Sequence, residues 1–281
     1  MSVMPIRRLA FGLATVLGIA RRGFFIPYRR AGEVPPPGAR PAYAAITALM
    51  HDREADFRAR LDAIDEHAAA LRAIGGDPAP APRWDQDWFP RLDAAVAYAM
   101  VRDLRPRRIV EVGSGHSTRF LARAVADAGL GTTITAIDPA PRAHLAGLAV
   151  DCIGAPVQSA GQAPFADLAA GDILFIDSSH ILMPGSDVDW LLNHVFPALP
   201  AGVRVHVHDV FLPDDYPAEW AWRGYNEQLA VATLLHGGGY RPLFASHYVA
   251  TRMAESLRKT VVAELPLAAG AHESSLWLEK L

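Results

Sequence analysis

The sequence predicts an α/β protein built on an open, doubly wound parallel sheet. Three observations carry the prediction. Short apolar runs recur at Arg108–Val112, Thr132–Ile137, Asp172–Ile176 and Val203–His208. Helical patterns at His116–Ala128, Pro141–Ala149 and Asp187–Phe196 lie between them. Such alternation means a parallel sheet covered on both faces. Third, the first run ends in Glu111-Val112-Gly113-Ser114-Gly115, bare backbone placed where such sheets take their ligands, beyond the carboxyl ends of the strands.

Taken in order, the elements begin with an apolar stretch, Leu9–Ala20, between Arg7-Arg8 and Arg21-Arg22. As a helix it would be about 18 Å long, too short for a hydrocarbon core of about 30 Å. Three readings stay open: a helix packed on the body or on another subunit, a membrane-surface helix anchored by arginines, and a signal peptide. Residues 31–41 (AGEVPPPGARP) form a loop, because prolines remove backbone donors. From Ala42 to Ile74, Ile46, Met50, Phe57, Leu61, Ile64, Ala68 and Leu71 share one helical stripe, and Gly75-Gly76 stops it. A second loop covers 77–83. These segments make 1–83 an N-terminal helical extension and 84–281 the main domain. Leu92–Leu104 reads as a helix, as does Glu219–His236, while Tyr240–Ser246 and Ser274–Glu279 can close the sheet.

Composition narrows the function. The chain has 281 residues, a hydrophobic fraction of 51% and a formal charge of -3, so it can bury a large core and has no charge basis for nucleic-acid binding. The single cysteine, Cys152, rules out an internal disulfide and a cysteine-based zinc site, and it fits a reducing cytoplasm.

The chemistry sits at the strand ends. Gly113 and Gly115 allow tight turns and close ligand approach, but the third glycine of the dinucleotide fingerprint is missing. Glu111 sits poorly beside a pyrophosphate and better suits a ligand with positive charge or donor groups. Asp138 ends the second strand, where an acid can accept from both ribose hydroxyls or, more simply, cap a following helix. Asp177 ends the fourth strand, followed by Ser178-Ser179-His180, and His208-Asp209 ends the fifth. His206 alternates with His208 and belongs to the core, while His116 either serves the helix start or bonds locally. Two aromatic groups keep two readings each. Phe211–Pro217 with Trp220 and Trp222 covers an acceptor or merely starts a helix with the tryptophans in its core. Trp84 and Trp88 form a lid or pack the N-terminal helices.

Together, VEVGSGHSTRFLARA, ITAIDP, FIDSSH, HVHDVFLPDDYP and the terminal SSLWLEK resemble the class I S-adenosylmethionine-dependent methyltransferases, in a small-molecule branch. The resemblance covers about Trp84 to Leu281. It implies a Rossmann-like sheet of seven strands with the last one antiparallel. It also implies S-adenosylmethionine bound over Gly113, Ser114, Gly115 and Ser117, with Asp138 on its ribose and Glu111 near its methionine part. A related catechol- and sugar-modifying group holds a divalent metal with acids at the fourth and fifth strand ends. Asp177, His208 and Asp209 match that place, and His208 would favour a transition metal over magnesium. Alternatively His180, His208 or Asp177 acts as a metal-free base. The expected activity is methyl transfer to an oxygen or nitrogen of a small-molecule acceptor. Two rivals remain: a scaffold of the same fold without turnover, and a nicotinamide-dependent oxidoreductase, which the missing glycine disfavours. The partners expected are the acceptor, a membrane surface contacted through residues 1–30, and a second copy of the chain in a homo-oligomer. The location expected is cytoplasmic, with membrane association through that segment.

Overall fold

A computed structural model describes residues 6–281. They form two compact units, one of residues up to Pro41 with Asp214–Gly224, the other of Ala42–Pro213 with Tyr225–Leu281. The larger unit holds the sheet. Its strands are β1 (Arg108–Val112), β2 (Thr133–Ile137), β3 (Asp151–Ile153), β4 (Ile173–Ile176), β5 (Arg204–Val207), β6 (Tyr240–Ala245) and β7 (Leu276–Lys280). They lie in the order β3-β2-β1-β4-β5-β7-β6. β7 runs antiparallel to both β5 and β6, and the remaining pairs are parallel. The expected Rossmann-like sheet with an antiparallel last strand is therefore present.

The apolar runs become strands because both faces are covered. Ile109, Ile173, Leu174, Phe175 and Val205 are fully buried, and each such side chain contributes about 1.5–3 kcal/mol. The helix α5 (Arg91–Leu104) buries an unbroken run from Leu92 to Val101. Its alanines let it lie close to α6 (His116–Asp127).

Several expectations need correction. The helical stripe from Ala42 to Ile74 is three helices, α2 (Ala44–His51), α3 (Glu54–Asp65) and α4 (Ala68–Ala73). Its stripe residues Ile46, Met50, Phe57, Leu61, Ile64 and Leu71 nevertheless all pack into the core of the larger unit. The helix expected at 141–149 is irregular, and the strand β3 follows it unpredicted. Pro141 and the positive φ of Gly147 (92°) break the helix, and β3 is an exposed three-residue edge strand with no periodic signal. After β3 comes α7 (Val157–Ala160). The helix after β4 starts as α8 (Asp187–Trp190), capped by Ser186, and passes into π and 3-10 turns as far as Ala198. The long helix expected from Glu219 is a 3-10 turn, Ala218–Trp220, and a separate helix α9 (Glu227–His236). Gly224 (φ 70°) breaks it. Trp222 is exposed instead of lying in a helix core. Among the described residues no helix is long and apolar enough to cross a membrane.

Candidate active site

The backbone ladder sets one row of residues just past the strand ends. Gly113 N–H donates to Ile137 (3.0 Å), Asp138 N–H to Ile153 (3.0 Å), Asp177 N–H to Val112 (2.9 Å) and His208 N–H to Ile176 (2.9 Å). Four of the residues singled out in the sequence thus stand side by side along one rim.

At the β1 end, Gly113 has φ 81°. A Cβ there would lie 1.8 Å from the main-chain oxygen of Asp177 and 2.7 Å from its carbonyl carbon. The requirement for glycine is therefore set by the neighbouring strand end, before any ligand is considered. Gly115 is freer, since a Cβ there would make only ordinary contacts, with Arg142 Cβ at 3.6 Å and Ala143 N and Cβ at 3.8 and 4.0 Å. Gly115 N–H donates to Thr118 Oγ1 (2.9 Å), which fixes the entry to α6. Glu111 is fully buried beneath this turn. Its two oxygens accept from Ser117 Oγ and Thr118 Oγ1, each at 2.6 Å. Burial pushes its pKa up to about 8 against those two hydroxyls, and Asp177 and Asp138 add to the rise. Any ligand contact at Glu111 or Ser117 would have to share these bonds.

Asp138 faces the same turn. Its Oδ2 accepts from Ser114 N–H (2.7 Å) and Ser114 Oγ (3.1 Å), and its Oδ1 from Ala140 N–H (2.7 Å). The cap reading is half right: Asp138 closes an Asx-type turn two residues on, but no helix follows. Of Trp84 and Trp88, the first takes the packing reading. Trp84 is buried on Phe120 and donates to Leu71 O (3.2 Å), packing the N-terminal helices. Trp88 is 48% exposed with Arg142 stacked on it at 4.6 Å, beside the glycine turn.

The β4 and β5 ends carry a different assembly. His180 Nε2 lies 3.3 Å from Asp177 Oδ1 and 3.4 Å from Asp209 Oδ2. His208 Nδ1 lies 3.5 Å from Asp177 Oδ1 and 3.4 Å from Asp209 Oδ1. The outer nitrogen of each imidazole also meets a buried acid: His180 Nδ1 is 2.9 Å from Glu227 and His208 Nε2 is 3.3 Å from Asp93. Four carboxylates thus surround two imidazoles. His180 (φ 59°) and Asp209 (φ 53°) both hold left-handed backbone that non-glycine residues seldom adopt, and such strain collects at working sites.

Burial pulls both imidazoles down. The carboxylates outweigh it, chiefly Asp177 with Asp209 and Glu227 at His180, and Asp177 with Asp209 and Asp93 at His208, so both pKa values stand well above normal. Burial likewise pushes Asp177 up, but His208 and His180 hold it well below the ordinary carboxylate range. Burial raises Glu227 despite its bond to His180. Among the described residues no group of three or more His, Cys, Asp or Glu stands ready-made as a metal-binding set.

The other histidines behave differently. His206 is fully buried, stacked on Phe175 at 3.7 Å, and bonded to Ser275 Oγ at 2.8 Å, a core histidine as expected. Burial, with His208 nearby, holds its pKa well below normal. His116 opens α6. Burial, Arg119 and Arg83 lower its pKa to about 4.

Sequence reasoning missed the residues that support the cluster. Asp93, inside the alanine-rich α5, is fully buried and accepts from Ser274 N–H and Ser275 N–H, each at 2.9 Å. Three successive residues at the start of α9 tie the site together. Asn226 Oδ1 accepts from Leu182 N–H (2.6 Å) in the loop after His180, Glu227 meets His180, and Gln228 Oε1 accepts from Phe211 N–H (2.8 Å). The available signals were an acid in an apolar first turn and a polar triplet ahead of an apolar helix.

Residues 110–210 match the family described as "Methyltransferase domain", and that segment contains the glycine turn, Asp138 and the β4 and β5 ends. The chain thus carries a match to a methyltransferase domain over that segment, which agrees with the resemblance drawn from its motifs. No curated protein matches this chain. Similar solved structures include the methyltransferase PaMTH1 of Podospora anserina bound to S-adenosylhomocysteine, 19% identical, with 87% of this chain and 99% of that one covered and a TM-score of 0.45. An O-methyltransferase from Bacillus cereus is 12% identical over 79% of this chain and 91% of its own, with a TM-score of 0.39. The O-methyltransferase TomG from Streptomyces achromogenes is 20% identical over 65% of this chain and 80% of its own, with a TM-score of 0.35.

Proposed function

We propose that this methyltransferase moves the sulfonium methyl of S-adenosylmethionine to an oxygen or nitrogen of a small-molecule acceptor. The observation that carries the reading is the contact between the two halves of the rim. The backbone of Asp177 rests on Gly113 of the glycine turn, while its side chain joins the acid–imidazole cluster. A methyl donor over Gly113, Ser114, Gly115 and Ser117, with Asp138 on its ribose, would therefore lie next to groups that handle protons. Glu111 supports that turn from below. Residues 84–281 form the transfer domain in this reading, and 1–83 its helical extension.

In the reaction the bond from carbon to sulfur breaks and a bond from carbon to the acceptor atom forms. Sulfur leaves as the neutral thioether and the acceptor gives up a proton. Alignment of donor and nucleophile supplies much of the rate, because the sulfonium is already activated. The cluster takes the proton. As they stand, His180 and His208 hold protons of their own, and Asp177, held well below the ordinary carboxylate range, is a weak base.

A divalent cation suits the same residues. The four inner N···O spacings of 3.3–3.5 Å exceed ordinary hydrogen bonds. Glu227 and Asp93 fix the outer nitrogens as carboxylates do behind metal-bound histidines. Asp177, His208 and Asp209 would hold the ion, with His180 adjoining, once the two imidazole protons leave. Two imidazoles favour a transition metal over magnesium. A bound ion would supply Lewis acidity that lowers the acceptor's pKa.

Two measurements test this reading. Calorimetric titration should give S-adenosylhomocysteine binding and no binding of NAD; the reverse result would end the methyltransferase reading. Elemental analysis of protein purified without chelator should find about one transition-metal ion per chain. Full methyl transfer by a verified metal-free sample would assign proton removal to the side chains alone.

A further inference from the structure

The smaller unit carries a surface unlike the rest of the molecule. Its helix α1 (Ile6–Val16) buries no residue. Ile6, Leu9, Leu13 and Val16 recur at helical spacing on one face and are 85%, 52%, 52% and 58% exposed. Arg7, Arg8, Phe11 and Thr15 occupy the opposite side, and Gly12 flanks the apolar face. Beyond the helix the apolar exposure continues through Leu17, Ile19, Phe24, Phe25 and Ile26.

The charge on this segment has one sign. Arg7, Arg8, Arg21, Arg22, Arg29 and Arg30 all precede Glu33, the first acid of the chain, and all six are exposed. The segment holds its shape locally. Arg22 N–H donates to Thr15 Oγ1 (3.0 Å), and the guanidinium groups of Arg7 and Arg22 lie 5.2 and 5.7 Å from the centre of the Phe11 ring. The aliphatic side chains thus face outward while the arginines stand beside them; Arg30 lies 3.6 Å from Glu33, and among the described residues no ion pair holds the other five.

We propose that residues 6–30 dock this protein on an anionic lipid surface. An amphipathic helix with a broad apolar face and arginines along its flanks lies in the plane of a bilayer, its apolar side among the acyl chains and its cations at the headgroups. The segment is too short to span and has no need to. Charge decides between occupants. A second copy would bring six more arginines against these six, and residues 6–30 contain no acid to pair them, whereas anionic headgroups complement them. The inference stands apart from the methyl-transfer reading, since it uses none of the rim residues.

Vesicle sedimentation of the full chain tests it. Vesicles of phosphatidylcholine containing one part in three of phosphatidylglycerol should pellet the protein, and vesicles of phosphatidylcholine alone should bind it at least tenfold more weakly. Each arginine near such a surface is worth about fivefold in binding, so Arg7→Glu with Arg8→Glu should cost more than about twenty-fivefold. Added salt should weaken the interaction. Leu9→Ser with Leu13→Ser should release the protein while S-adenosylhomocysteine affinity stays unchanged, which separates loss of docking from loss of folding. Failure of the unaltered protein to pellet with the anionic vesicles would overturn the proposal. Equal binding to the neutral vesicles would also overturn it, as would vesicle-independent self-association abolished by the two serine substitutions.

Discussion

The two acidic stretches of one sheet rim meet the cost of buried charge in different ways. At the β1 and β2 ends, Glu111 and Asp138 accept only from neutral donors, the hydroxyls of Ser117 and Thr118 and the amides of Ser114 and Ala140. At the β4 and β5 ends, Asp177 and Asp209 face His180 and His208. Neutral donors fix a geometry without moving protons. Imidazoles fix it by charge, and charge can be exchanged for a cation or a reacting proton. In the proposed reading the first stretch serves as a cradle and the second as a place for chemistry.

The largest effect should come where the two stretches touch. Gly113→Ala puts a Cβ 1.8 Å from the Asp177 oxygen and holds a side chain at φ 81°, so both rims must shift. Thermal unfolding should register a loss above about 4 kcal/mol, in the range of severe core defects. Gly115→Ala, with ordinary contact at 3.6 Å, should unfold like the parent. Equal melting of all three proteins would mean that the rims are not coupled through Gly113.

Removing the cradle acid should act on binding. Asp138→Ala loses charge-assisted bonds of about 1.5–3 kcal/mol each and should weaken S-adenosylhomocysteine binding by that order in calorimetry. Unchanged affinity would take Asp138 off the ribose. Glu227→Gln should do the opposite. It removes the charge behind His180 and should lower turnover by about 10–100-fold, as loss of supporting carboxylates does, with cofactor affinity left alone and the pH–rate profile displaced. A variant weakened only in cofactor affinity would erase the distinction between the stretches.

The most gradual effect, smallest per pH unit, is a pH dependence on the cradle side. Glu111 titrates at about 8 in the folded protein against an ordinary 4.5. Between those values the unfolded chain has released a proton that the folded one keeps. Stability should therefore fall as pH rises from about 4.5 to 8, by at most about 1.4 kcal/mol per pH unit, and then level off. Glu111→Gln should flatten that slope in denaturant titrations across the range. An unchanged slope would place its origin in another group.

Much of the fold was legible because it is written in local patterns. Runs such as Ile109–Val112 and Ile173–Ile176 are buried on both faces, so burial alone dictates their apolar composition. The stripe on α2–α4 found the right core residues even though its three helices read as one. The failures lie where local pattern was weak. β3 has three residues and little burial, and the segment 141–149 carries apolar spacing without helical backbone. At the site, the strand-end acids were visible because they interrupt apolar runs. Asp93 and Glu227 were not, because each interrupts a helix whose facing partner the chain does not name.

Alone, the sequence determined which residues stand at the strand ends and which glycine turn lies beside them, since strand periodicity and turn chemistry act over a few neighbouring residues. The tertiary structure decided what those residues meet. Asp93 reaches His208 across 115 positions of chain and Glu227 reaches His180 across 47. The Asp177 carbonyl, brought by β4 alongside β1, decides that position 113 must be glycine. Such partners are selected by the packing of whole helices and strands, and that packing is the sum of many burials with no single residue to announce it.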